Sequence, residues 1–132
     1  LCCYVWFSQL GFPHMTLEFP YKRQSPVTKR LKTYKNIKQV WEEIELLVEN
    51  WQDSRFTLGR NLYFHLPLFM NPKWIINDDD YDLMKQYIWT KEFNIPMAQD
   101  LDSADAYRLE IFDNIRQELN EITKYMSEKH GR

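Results

Sequence analysis

Three sets of side chains in this sequence have the types and spacing for chemistry. The first is acidic: Asp78, Asp80 and Asp82 stand at the spacing of the first three oxygen ligands of a calcium loop. Such a loop needs glycine at its sixth position and glutamate at its twelfth, and those positions hold Leu83 and Trp89. The run therefore reads as the first turn of a helix, where carboxylates complement the positive end of the backbone dipole. The second set is two carboxylate pairs, Glu42-x-x-Glu45 and Glu118-x-x-Glu121. Carboxylates from two helices can hold magnesium on a substrate phosphate. The third set is basic. Lys22, Arg23, Lys29, Arg30, Lys32, Lys35 and Lys38 account for seven of the 17 positive charges, and no acid interrupts residues 21–38. Tyr21 and Tyr34 interleave with them, so the cations could engage phosphates and the rings could stack on bases.

The carboxylate pairs resemble the paired acidic motifs of all-helical nucleoside triphosphate pyrophosphatases, and the resemblance covers those two short patterns. It implies a magnesium-dependent nucleotide hydrolase, provided the two pairs converge. On a helical wheel Glu42 and Glu45 point away from the apolar stripe of their helix, so surface glutamates are the simpler account. Nucleophilic catalysis has less behind it. His14, His65 and His130 stand in no HExxH or G-x-S-x-G context, and Gly11, Gly59 and Gly131 are too dispersed for a phosphate loop. Cys2 and Cys3 are adjacent, a poor geometry for a mutual disulfide. No catalytic residue, metal site or cofactor is expected.

The chain has 132 residues, the size of a single domain, and 44% hydrophobic residues with 16% aromatic supply enough apolar surface to offset chain entropy. A net charge of −2 excludes a uniformly basic, histone-like balance. Phe, Tyr, Met, Ile, Asn and Lys contribute 48 residues against 19 Gly, Ala, Arg and Pro, a bias that A/T-rich codons would produce and that discounts aromatic clusters.

The positioning elements follow from periodicity. Asn36, with Gln39 three residues on, caps a helix whose stripe is Ile37, Val40, Trp41, Ile44, Leu47, Val48 and Trp51. Asn77 caps a second over 78–93, stopped by Asn94 and Pro96. A third runs from Ser103 to Lys129 on Ala104, Ile111, Phe112, Ile115, Leu119, Ile122 and Met126, ended by Gly131. Between them, Leu62, Phe64 and Leu66 alternate with Tyr63 and His65, suggesting a short hairpin with Phe56–Leu58 across Gly59. The expected fold is mainly α: a small three-helix domain with an irregular aromatic-rich connection and room for a short β-hairpin. Residues 1–14, without formal charge and preceding Met15, read as a non-native or disordered leader; 15–35 as a basic, largely extended segment; 36–132 as a single helical domain.

The leader lacks the charged start of a secretory signal and the length of a membrane span, so a cytoplasmic protein with no membrane association is expected. Its best functional reading is a non-enzymatic accessory or adaptor protein acting through protein–protein binding. Candidate contacts are Arg55, Arg60, Tyr63, Phe69, Trp74 and Arg108, the last near the middle of the third apolar stripe where an unpaired charge is costly. The alternatives are nucleic-acid binding through the seven cations and the pyrophosphatase-like hydrolase.

Overall fold

The computed structural model describes residues 1–52, 54–92 and 106–130, with side chains from Leu109 onward in the last stretch. Among them are five α-helices and one hairpin. Helix α1 (Cys2–Leu10) sits at the centre. It bears no charge, and Cys3, Val5, Trp6 and Phe7 are all buried. Phe7 packs into a cluster with Tyr34, Val40, Ile44, Leu47, Leu62, Leu66 and Phe69. Trp6 and Val5 turn the other way, into Met84, Tyr87, Ile111, Ile115 and Ile122. The segment expected to stand outside the domain is thus the element that joins its two apolar clusters. A helix that buries residues toward two clusters has little room for charge, and its exposed positions are the neutral Ser8 and Gln9.

Strands β1 (Tyr21–Gln24) and β2 (Leu31–Tyr34) pair antiparallel, Tyr21 opposite Tyr34 and Arg23 opposite Lys32. The chain does form a hairpin, but in the basic segment. Over 56–66 the expected strands are replaced by helix α3 (Leu58–His65), which Thr57 caps by accepting from the Arg60 amide at 3.3 Å. Leu62 and Leu66 are both buried, a spacing of four that suits a helix as well as alternate residues suit a strand. Two 3-10 turns, Leu66–Leu68 and Pro72–Ile75, follow.

Helix α2 (Ile37–Trp51) begins where the sequence places it: Asn36 accepts from the Gln39 amide at 3.1 Å, and Gln39 accepts from the Lys35 amide at 2.6 Å. Its stripe is narrower than expected, since Ile37 and Trp41 are exposed while Glu43 is buried. Helix α4 (Asp78–Glu92) opens on a reciprocal cap between Asn77 and Asp80, with bonds of 3.0 and 3.2 Å. Helix α5 (Ala106–His130) buries Ile111, Ile115 and Ile122 as expected. The expected terminators Asn94, Pro96 and Gly131, the start at Ser103 with Ala104, and the Arg108 side chain lie outside the described residues.

Burying Trp6 and Phe7 contributes about 2–3 kcal/mol each, a large share of a small domain's net stability. A chain beginning at Met15 is expected to show no cooperative thermal transition by near-ultraviolet circular dichroism. A melt that coincides with that of the longer chain would contradict this role for α1.

Candidate nucleic-acid interface

The basic segment folds into a rigid presentation. At the turn of the hairpin, Ser25 accepts from the amides of Val27 and Thr28, at 3.2 and 3.0 Å, and its hydroxyl donates to the Glu43 carboxylate on α2. Lys32 approaches the other oxygen of Glu43 at 3.3 Å. Glu43 is fully buried, so these two partners hold the hairpin to the helix while satisfying a carboxylate that would otherwise be costly. Tyr21 and Tyr34 stack at 5.3 Å on the inner face, and the Tyr21 hydroxyl donates to the Phe69 carbonyl at 2.7 Å. The expected interleaved tyrosines are therefore anchors of the hairpin and not free stacking surfaces.

Of the seven cations, only Lys32 is used internally. Lys22, Arg23, Lys29, Arg30, Lys35 and Lys38 are exposed, and none makes an ion pair among the described residues. Lys29 is also the one non-glycine residue with positive φ (66°) among the described residues, in the left-handed region where L side chains cost about 1 kcal/mol. Lys38 lies in the first turn of α2, which has no acid there, and a cation at that end opposes the helix dipole. Two of these lysines thus occupy positions that local energetics disfavours. Leu31, 70% exposed, stands opposite Gln24 on the outer face.

The other candidate contacts are mostly interior. Phe69 is fully buried and Tyr63 packs between Trp6 and Phe7 at 5.4 and 5.0 Å, so Tyr63, Phe69 and Trp74 do not form an exposed patch. Trp74 is half-buried beside Phe19 and Tyr21. Arg60 pairs with Glu121 at 3.1 Å and lies over Phe56 and Tyr125 at 4.1 and 5.3 Å, a guanidinium spent within the fold. Arg55 remains exposed above Phe56.

The carboxylate pairs do not converge. Glu42 and Glu45 are exposed on α2. Glu118 is buried, accepting from Trp6 Nε1 at 2.9 Å and from the Gly59 amide at 3.0 Å, and Glu121 is held by Arg60. The cavity beside Glu118, about 420 Å³ and lined by Val5, Trp51, Leu58 and Ile115 among others, includes neither Glu42 nor Glu45. Among the described residues no group of three His, Cys, Asp or Glu could hold a metal. His65 lies 2.7 Å through Nδ1 from the Asn61 carbonyl, one turn back on its own helix. Burial pushes the Cys2 thiol up to about 12 and raises Cys3 as well, so neither supplies a thiolate at neutral pH. No helix among the described residues is long and apolar enough to cross a membrane.

Sequence reasoning missed Ser25 and Glu43, which fix the hairpin, and Phe19, which extends its aromatic edge. The signal for Glu43 was its position three residues after Val40 and one before Ile44, inside the apolar arc of α2. No protein-family model matches the chain, and no curated protein or solved structure matches it. Its geometry alone carries the functional reading.

Burial holds the Tyr21 phenol at about 12, and burial, with Glu43 nearby, also raises Tyr34 well above its ordinary value. Between about pH 10 and 12 the unfolded chain releases phenolic protons that the folded chain keeps. Stability is therefore complete below pH 10 and declines as pH rises through that window. The buried Tyr34 hydroxyl has no hydrogen-bond partner among the described residues. Tyr34→Phe is expected to flatten the alkaline decline and to leave the neutral-pH melting temperature equal or higher. A lower neutral-pH melting temperature in the variant would show that the hydroxyl is paired and stabilising.

Proposed function

We propose that the protein is a non-enzymatic binding module that engages nucleic acid through the basic hairpin and the start of α2. The observation that supports this most is the set of six exposed, unpaired cations, two of them kept where the backbone would favour other residues. A residue held against local preference at a surface is a pointer to a partner. The rest of the chain is acidic in balance, yet among the described residues only Lys32 of this segment finds a carboxylate. A nucleic-acid partner also accords with the expected cytoplasmic setting.

Binding to labelled oligonucleotides should weaken with salt, with a log–log slope of about −4 to −5 if all six cations meet phosphates. Replacing Lys22 and Arg23 together by Glu should lower that slope by about 2. Lys29→Gly relieves the left-handed strain, so it should raise the melting temperature while weakening binding. No measurable affinity at low ionic strength for wild type would end the proposal.

A protein partner is the second reading, now favoured by a different surface. On α4, Tyr81 (55% exposed), Lys85 and Trp89 (48% exposed) line one face at successive turns, with Lys85 Nζ 4.6 Å from the Trp89 ring. Exposed aromatics of this kind are enriched at interfaces. Photo-crosslinking from position 89 in cells should yield a protein adduct, and an adduct confined to nucleic acid would remove this reading.

A further inference from the structure

We infer that Phe19, backed by the Tyr21 and Trp74 rings, offers a base-stacking surface beside the cations, so that the nucleic acid bound is single-stranded; this rests on the nucleic-acid reading above. Phe19 lies 5.5 Å from Tyr21 and 5.1 Å from Trp74, and those two rings are 6.1 Å apart. Two of the three are fixed from behind. Tyr21 is tied to the Phe69 carbonyl, and Trp74 sits in the 3-10 turn whose Asn71 side chain accepts from the Lys73 amide at 3.1 Å. Phe19 closes the cluster at the surface, 38% exposed, two residues before the strand that carries Lys22 and Arg23.

An exposed ring resting on a rigid aromatic base costs little entropy to stack against, because its neighbours already limit its motion. Adjacent cations track the phosphates while the ring meets a base face. In a duplex, base faces are covered by their neighbours and only edges and phosphates are offered. The same surface therefore discriminates by strand form without reading sequence. Lys73, exposed and next to Trp74 in the chain, adds a positive charge to the same turn.

The test compares a single-stranded oligonucleotide, its duplex, and an abasic strand with the same number of phosphates, each titrated with the full chain at low and moderate salt. Wild type should bind the single strand more tightly than the abasic strand by about 5- to 100-fold, the range for stacking of one base. Phe19→Ala should erase that difference and leave duplex affinity unchanged. Phe19→Leu keeps apolar bulk without the aromatic face and should behave like Phe19→Ala, whereas Phe19→Trp should retain the preference. Equal affinity of wild type for the base-bearing and abasic strands, or an unaltered preference in a folded Phe19→Leu, would overturn the stacking surface while leaving the nucleic-acid reading standing. Failure to bind any of the three would overturn both.

Discussion

A single buried carboxylate orders the centre of this fold. Glu118 on α5 receives the indole N–H of Trp6 from α1 and the backbone N–H of Gly59 from α3, so three helices meet at two oxygens. A buried charge of this kind adds little net stability against an apolar substitute, but removing one partner leaves the others unsatisfied at about 1–3 kcal/mol each. Its effect is on specificity. Residue 59 must be glycine: a Cβ there would fall 2.6 Å from the Glu118 carboxyl and 2.7 Å from the Trp6 ring. The glycine that looked like a turn marker is a point of close approach between helices.

Glu43 repeats the device at the periphery. Buried beneath the hairpin, it joins Ser25 and Lys32 to α2 and gives a two-stranded element, marginal by itself, a third surface to rest on. The two carboxylates divide the labour: Glu118 sets the helix arrangement, and Glu43 fixes the orientation of the basic hairpin relative to it. Neither has oxygens free of such ties, which is why Glu118, one of the acids that suggested metal chemistry, serves packing instead.

What was legible in the sequence was local. Helices α2 and α4 announce themselves through Asn36–Gln39 and Asn77–Asp80, caps made within four residues, and the α5 stripe is regular enough to need no cap. The mainly helical class follows from these three. Helix α3 and the hairpin were not legible in place, because their choice depends on residues far along the chain. Leu62 and Leu66 fit either period, and the contact of Gly59 with Glu118 spans 59 positions. Tyr21 and Tyr34 reveal a register only once Phe69 supplies the acceptor. For the site, the seven cations were readable as a cluster, but not that one of them would be consumed by Glu43, nor that Tyr63 and Phe69 would be interior. Composition could not tell an apolar leader from an apolar core helix, since both are free of charge.

The hairpin's exposed cations also set how the molecule meets anything charged. With seven cations gathered in residues 21–38 and the remainder of the chain acidic in balance, charge is unevenly divided between the hairpin region and the rest. In the field of a polyanion the molecule would turn hairpin-first before any contact is made. The acidic remainder is repelled, so the charge division that would draw a polyanion to the hairpin also limits which way round the two could meet.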